Sequence, residues 1–340
     1  MAIRAAQVNI HPKDVDHVPV MLRHQIRVWG GQVDRFHVTL DVHGSSGGHY
    51  GTEGIDTKLA AMRGALAEIG TEFPIAVDEV DMRPETRRAV AAAFFGGGDV
   101  PLKAWNGSPL YAYLFGLWKT NADVVVHFDG DMFFGGGSQT WLDEAETMLN
   151  DRSDCAFVGP LPGPPREDGR LLGHGEVWSG VEARPIDDEA RAYAFDTVST
   201  RIFVTHLDIL RRRLGGSLRR EGPGLKGQIH ARLLGNDPQS RELERLLSGN
   251  MAARGLKRVD FLGTEPGMWS LHPPLRNAAF YERLPELVDR VERGDLPEQQ
   301  LGHYDVVDAL IDMSEARRQN RRVARWKRHA RHLARRIGVG

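Results

Sequence analysis

The chain is poor in cysteine, with one such residue, Cys155, among its 340. A single cysteine excludes an internal disulfide and a zinc cluster built from several thiolates. Long apolar runs are also missing: no window approaches the roughly 18–20 apolar residues that span a bilayer. Residues 1–14 lack the apolar stretch of a secretory signal. We therefore expect a cytoplasmic protein, peripheral at most on the inner face of the membrane.

Acidic charge is absent from one stretch, residues 317–336, which holds ten Lys or Arg residues. Because the whole chain has a formal charge of −2, the remainder carries −12. An acidic body argues against nucleic acid as a partner. Apolar residues within the basic stretch recur every three or four positions (Val323, Trp326, Ala330, Leu333 and Ile337). That pattern predicts a basic amphipathic helix, and residues 317–337 could bind anionic lipid, pack on the acidic body or pair with another subunit.

Strand-like and helix-like segments alternate through the first half of the chain. Strands are predicted at 5–10, 36–42, 74–80 and 122–128, and helices at 14–29, 56–69, 84–95 and 106–119. This alternation is typical of a doubly wound α/β sheet, whose ligands lie at the carboxyl ends of the strands. Residues 43–54 and 160–190 are rich in Gly, Ser or Pro and are predicted to be irregular.

Fewer strands are predicted in the second half. They lie at 156–159, 201–205 and 259–262, with helices at 208–214, 239–253, 279–293 and 305–336. We expect one catalytic domain over 1–275, followed by a helical extension over 276–340 that ends in the basic amphipathic helix. Within the domain, 1–135 would bind the nucleotide part of a substrate, and 136–275 the second substrate.

Two carboxylates follow the most apolar predicted strand, in the order Asp129-Gly130-Asp131. Burying two acids side by side is unfavourable unless a cation compensates. Carboxylate oxygens suit hard cations, and Mg²⁺ in particular is often held by one or two carboxylates together with substrate phosphates. The glycine lets the backbone approach a ligand closely. A surface turn of the same composition is the alternative.

The stretch from Asn106-Gly107-Ser108 through Ala122–Phe128 into Asp129-Gly130-Asp131 resembles the donor-binding half of A-type-fold, family-2-like glycosyltransferases. The resemblance extends over about residues 1–270 and implies a mainly parallel mixed sheet flanked by helices. It implies transfer of a sugar from a nucleoside-diphosphate sugar to an acceptor hydroxyl, the hexosyltransferase-like activity of EC class 2.4. Asp129 and Asp131 would hold Mn²⁺ or Mg²⁺, and the acceptor would be a saccharide or a lipid-linked sugar.

The resemblance also implies where the nucleotide lies. Asp41 or His43, in Leu40-Asp41-Val42-His43, would contact the base, and Asn9 and His11 would wall the base pocket. Asn106 opens the predicted helix before the metal strand, and Arg201, or Lys103 in the loop before that helix, could place positive charge near the phosphates. His272 stands where several members of the family add a histidine to the metal shell.

A general base is needed if the reaction inverts the anomeric centre. The candidates are Asp196, Glu176 and Asp237, with Asp196 preferred because it precedes the strand at 201–205. No base is required if the configuration is retained. Trp178 could stack on a sugar or lie in the core.

Two other functions remain open. A nucleotidyltransferase would share the sheet, the metal carboxylates and the nucleotide, but it normally has a Gly-rich phosphate loop after the first strand. Asn9-Ile10-His11-Pro12-Lys13 contains no glycine. A non-catalytic protein that binds a sugar or nucleotide is disfavoured by the intact acid pair.

Overall fold

The computed structural model describes residues 2–43, 54–173, 183–188, 191–214, 217–220, 222–234, 236–276 and 278–319. Four strands from the first 129 residues pair in parallel in the order β3-β2-β1-β4. They are β1 (Arg4–Ile10), β2 (Arg35–Leu40), β3 (Ile75–Glu79) and β4 (Val124–Asp129). Because the chain builds outward from β1 on one side and then returns to its other side, the strand order reverses between β1 and β4.

The later strands extend the sheet beyond β4. They are β5 (Phe133–Gly135), β6 (Cys155–Pro162), β7 (Arg184–Asp187), β8 (Ala192–Phe195), β9 (Ile202–His206), β10 (Lys257–Phe261) and β11 (Trp269–Leu271). The order continues β4-β9-β6-β10-β8-β7, and β9 runs antiparallel to both of its neighbours. A small side sheet joins β11 to β5 and β6. The predicted mixed sheet flanked by helices is confirmed, with β1–β4 pairing in parallel and antiparallel pairs among the later strands.

Helices cover both faces of the sheet. They are α1 (Val18–Trp29), α2 (Ile55–Glu72), α3 (Pro84–Phe95), α4 (Tyr111–Lys119), α5 (Trp141–Asp151), α6 (Leu207–Arg213), α7 (Leu225–Leu234), α8 (Leu243–Ala252), α9 (Ala278–Arg293) and α10 (Ser314–Gln319). Side chains of α1, α2 and α5 form one apolar layer with the sheet. Side chains of α3, α4, α6 and α8 form the other. Successive side chains of a strand point to opposite faces, so the continuous apolar run of β4 supplies both layers.

Several predicted elements differ from the structure. The helix predicted at 106–119 begins only at Tyr111, because Gly107 has a φ of 85° and Asn106 Oδ1 accepts hydrogen bonds from the backbone and hydroxyl of Ser108. Such local bonds compete with a helix. The stretch 160–190, predicted to be irregular, contains the end of β6 and the edge strand β7.

The C-terminal region also departs from its prediction. Residues 305–313 are not helical; in the described part of 305–336 only Ser314–Gln319 forms a helix, and the rest of the predicted basic helix lies outside the described residues. Apolar side chains of α9 pack against β5, β6 and β11 in a third cluster. Among the described helices, none combines the length and apolar character needed to cross a bilayer.

Candidate functional site

The carboxyl ends of β1, β2 and β4 meet at one edge of the sheet. There Asn9 pairs in register with Asp129 on one side and with Thr39 on the other. A pocket of about 220 Å³ opens at this edge. It is lined by Asn9, Ile10, His11, Asp14, His17, Asp41, Pro109, Ala112, Tyr113, Asp129, Gly130, Asp131, Arg201, His272 and Arg276.

The acid pair forms the floor of this pocket. Asp129 is the last residue of β4, and Asp131 is only 8% exposed. The glycine between them lies against β1: a Cβ atom at Gly130 would come within 2.9 Å of Ile10 Cγ2. A larger residue would require the Ile10 side chain to shift, so the packing of that side chain against the turn favours a glycine between the acids.

The two carboxylates differ in their partners. Asp129 Oδ1 accepts a hydrogen bond of 2.6 Å from the Tyr113 hydroxyl, and Asp131 Oδ2 lies 3.1 Å from Arg276 Nη1. Burial and the neighbouring Asp131 carboxylate raise the pKa of Asp129. Burial would raise the pKa of Asp131 too, but Arg276 and His272 outweigh it and lower that pKa. The surroundings therefore compensate a negative charge on Asp131 but not a second one on Asp129.

His272 is oriented toward the acid pair. Its backbone bridges to the segment at 304–306, and its Nδ1 lies 3.2 Å from Asp305 Oδ1. The other ring nitrogen, Nε2, lies 3.9 Å from Asp131 Oδ2. A carboxylate behind a histidine is the usual outer partner of a metal-binding imidazole, because it fixes the tautomer and the ring orientation.

These residues could hold a divalent cation only after one rearrangement. Across the described part of the chain, no three His, Cys, Asp or Glu side chains already stand close enough together to hold a metal. The Arg276 guanidinium instead occupies the space beside Asp131, 3.2 Å from His17 Nε2 and 4.0 Å from Asp14 Oδ1. Two carboxylates and an imidazole form a donor set suited to Mn²⁺ or Mg²⁺ once Arg276 turns away.

The other end of the pocket is polar. Asp41 is buried, and Lys103 Nζ donates to its Oδ2 at 3.0 Å while the backbone N–H of His43 donates to its Oδ1 at 3.1 Å. Burial opposes ionisation of this carboxyl group, but His43 and Lys103 lower its pKa to about 2. His11 accepts the backbone N–H of Lys13 through Nδ1, and burial lowers its pKa to about 4. The strand ends thus present a fixed anion and a neutral imidazole.

Some polar atoms at this edge remain available to a ligand. Gln7 Nε2 donates to Asn9 Oδ1 at 2.9 Å, and Asn9 Nδ2 has no hydrogen-bond partner among the described residues. The same is true of His17 Nδ1. Buried polar groups are usually paired, so these atoms indicate a polar ligand or water in the pocket.

Several predicted residues lie elsewhere. Asp196 forms ion pairs with Arg184 and Lys257, and Lys257 begins β10, at the opposite edge of the sheet from the pocket. Asp196, the preferred candidate for the base, therefore does not line the pocket: it follows the carboxyl end of β8, and β8 runs antiparallel to β10.

Of the remaining predicted residues, two lie away from the pocket and two lie outside the described residues. Asn106 Nδ2 donates to Glu242, and Asp237 accepts from Gln239 and Ser240; neither lines the pocket. These two side chains order their own loops. Glu176 and Trp178 lie outside the described residues.

Four polar pocket residues were missed by the sequence analysis: Asp14, His17, Tyr113 and Arg276. His11 and Asp14 form a capping box around a short 3-10 turn, and the His-x-x-Asp spacing was a signal that could have placed Asp14. Burial raises the pKa of Asp14 to about 6. Arg276 gave no signal, because arginine is abundant throughout this chain.

No protein-family model and no curated protein matches the chain. Solved structures do match. Glucosyl-3-phosphoglycerate synthase from Mycobacterium tuberculosis, in complex with Mn²⁺, UDP and phosphoglyceric acid, is 12% identical with a TM-score of 0.36 over 87% of this chain and 80% of that one. A mannosyltransferase from Pyrobaculum calidifontis, in complex with GDP-mannose and Mn²⁺, is 12% identical with a TM-score of 0.33, over 100% and 76%.

A third match is a mannose-1-phosphate geranyltransferase from Thermus thermophilus. It is 13% identical with a TM-score of 0.37, over 78% of this chain and 75% of that one. The metal ions and nucleotides named above belong to those proteins.

Proposed function

We propose that the protein is a glycosyltransferase that moves a sugar from a nucleoside-diphosphate sugar to an acceptor hydroxyl with a divalent metal. One observation carries the proposal. The buried Asp131 and the half-buried Asp129 lie at the point where the strand order reverses, in a pocket that also holds two arginines. Ligands of such sheets bind at this point, and two adjacent carboxylates with arginines beside them suit a metal–diphosphate complex.

Asp131, Asp129 and His272 would hold the metal. When bound, the metal would neutralise charge on the departing nucleoside diphosphate. Arg201, whose backbone carbonyl accepts the N–H of Asp129, lines the same pocket and would face the phosphates. Asn9, His11 and Asp41 would contact the nucleoside, with Lys103 and His43 holding Asp41 in place.

Arg276 would exchange roles when the ligands bind. In the structure its guanidinium is the cation closest to Asp131. Metal and guanidinium cannot share one carboxylate edge without repulsion, so metal binding would release Arg276. A guanidinium released into this pocket is suited to pair with phosphate oxygens. We assign the role of a general base to none of the described residues.

A thermal-shift screen tests the proposal. Nucleoside diphosphates and nucleotide sugars are each added with Mn²⁺, with Mg²⁺ or with a chelator. We expect one nucleotide series to raise the melting temperature only with metal, since a ligand that binds the folded state stabilises it. Nucleotide sugars of that series should then be turned over, slowly with water and faster with an acceptor.

Asp131→Asn should abolish the response, while Asp289→Asn, an exposed surface carboxylate on α9, should keep it. Turnover of a nucleoside triphosphate with a sugar 1-phosphate would favour a nucleotidyltransferase instead. If no nucleotide stabilises the protein under any metal condition, both the glycosyltransferase and the nucleotidyltransferase functions are contradicted.

A further inference from the structure

The helix α7 exposes an apolar ridge. Leu225, Ile229 and Leu233 are 72%, 50% and 64% exposed, and their spacing of four residues puts them on one face. The other exposed large apolar residues in the described part of the chain, Val77, Leu102 and Leu172, are scattered and less exposed, at 39–43%. Single exposed apolar residues are ordinary, but an aligned set of three indicates a contact surface.

The opposite face of α7 is anchored. Ala231 is buried, and Gly227 fits against Pro223 and Trp105, where a Cβ atom would come within 2.6 Å of Pro223 Cβ. The His230 ring meets the Trp105 ring edge-on at 5.7 Å between centroids. The packing of this face fixes which side of the helix points outward, so the ridge is presented to the surroundings of the protein.

Basic residues lie on α7 beside the ridge and in the segment that precedes the helix. Residues 219–234 contain four Lys or Arg residues and one acid. Lys226 and Arg232 flank the ridge on α7 itself, and Arg219 and Arg220 precede the helix; all four are exposed. This positive region stands out, because the chain outside residues 317–336 carries a net charge of −12.

We propose that this face of α7, residues 225–233, docks on an anionic membrane surface. An apolar ridge bordered by Lys and Arg is the composition of helices that lie in the lipid interface. The basic segment at 317–336 is a poor partner for this face of α7, because its ten positive charges would repel the four Lys and Arg residues of 219–234. A second copy of the chain, packed symmetrically on the same face, would place two basic surfaces against each other, and they would repel.

Docking through α7 would affect the pocket. The backbone carbonyl of Trp105 accepts from Asn236, just past α7, and the same loop contributes Lys103, which pairs with Asp41, and Pro109, which lines the pocket. One loop therefore joins the ridge to the site, and α7 on a bilayer would hold the pocket near the lipid surface. Docking through α7 does not depend on the reaction proposed for the pocket.

A single labelled position tests the contact. The one native cysteine, Cys155, is fully buried, so Ile229→Cys can be labelled selectively with an environment-sensitive dye on the full-length protein. We expect vesicles with roughly one third phosphatidylglycerol to shift the emission to the blue, and phosphatidylcholine vesicles to do so far less. The same dye on Val77→Cys, at an edge strand, should not respond.

Vesicle sedimentation gives a second, label-free test. Leu225→Ser with Ile229→Ser should weaken partitioning into anionic vesicles roughly tenfold, because two apolar side chains no longer enter the interface. The matched control, Val77→Ser with Leu172→Ser, removes two exposed apolar residues elsewhere and should partition as the unmodified protein does. Both pairs are exposed, so little loss of folding is expected.

Three results would overturn the proposal. The protein could sediment with vesicles while the dye at position 229 stays unchanged, which would assign binding to another segment. The dye could already report an apolar environment without lipid and respond to protein concentration, which would indicate a second copy. Equal partitioning of the two double variants would also contradict it.

Discussion

At the scale of single residues, the pocket concentrates groups whose placement is unfavourable without a ligand. Asp129 is ionised less readily than an ordinary carboxyl group, and buried donors of Asn9 and His17 have no partner among the described residues. Functional sites commonly hold such groups at a cost in stability. The cost should therefore be measurable, and ligand binding should offset it.

Asp129→Asn should stabilise the metal-free protein at alkaline pH. The folded pKa of Asp129 lies above its ordinary value, so the folded state holds a proton that the unfolded state releases, and stability falls as the pH rises from about 4 into the neutral range. The neutral amide removes this loss and can still accept from Tyr113. We expect a melting temperature higher by roughly 2 °C or more at about pH 8 with chelator, and little difference near pH 4.

Asp143→Asn, at an exposed position, is the control. A melting temperature of Asp129→Asn below that of the unmodified protein at about pH 8 would show that the carboxylate is satisfied without metal.

Arg276→Ala separates the two roles proposed for this arginine. Without nucleotide, Mn²⁺ should bind several-fold more tightly, because no guanidinium competes for Asp131. In the presence of Mn²⁺, the nucleoside diphosphate should bind roughly tenfold more weakly, because a charge-assisted contact is lost. Calorimetric titrations measure both constants.

Arg283→Ala, an exposed arginine paired with Glu286 on α9, should change neither constant. Weaker Mn²⁺ binding in Arg276→Ala would instead indicate that this arginine supports the site rather than occupying it.

At the scale of secondary-structure elements, the distance between α4 and the sheet is set by a glycine. A Cβ atom at Gly116 would lie 2.4 Å from Gln7 Nε2 and 2.7 Å from Thr39 Oγ1. Those atoms belong to a buried polar network under the pocket, in which Gln7 also contacts His127 and Asn9. The close approach of α4 therefore supports the position of Asn9 at the pocket edge.

Gly116→Ala should destabilise the protein by about 2 kcal/mol or more, although alanine is the better helix former, because the added carbon displaces the polar network. Gly64→Ala, inside α2 with nothing within 4 Å of the added carbon, should stabilise it by up to about 1 kcal/mol. Urea denaturation of both variants measures the difference. Equal effects of the two substitutions would contradict the close packing of α4.

At the scale of the whole molecule, the predicted site residues that share the pocket are those at strand ends. Asn9, His11, Asp41, Asp129 and Asp131 each lie at or just past such an end, and the parallel sheet brings them to one edge. Residues that reach the pocket from other elements were harder to predict. Whether the Tyr113 side chain faces the pocket depends on where α4 begins. The predicted start was five residues too early, because residues 106–110 form a loop in which Asn106 accepts a hydrogen bond from Ser108.

The candidates for the general base were equally hard to place from the sequence. Asp196 looked suitable from its position in the sequence, but the direction of β8 decides which edge of the sheet it occupies. Strand direction in a mixed sheet depends on pairing between distant segments, which periodicity does not reveal.

Asp129 and Asp131 are proposed to hold a metal that binds a nucleoside diphosphate. The most direct test of this proposal is a pair of calorimetric titrations, nucleotide into protein with and without Mn²⁺ and Mn²⁺ into protein with and without nucleotide. We predict that each ligand tightens the other by the same factor, as linkage requires, at roughly tenfold or more, and that Asp131→Asn removes this coupling. Nucleotide binding with equal affinity in the presence and absence of metal, unchanged by Asp131→Asn, would contradict the account.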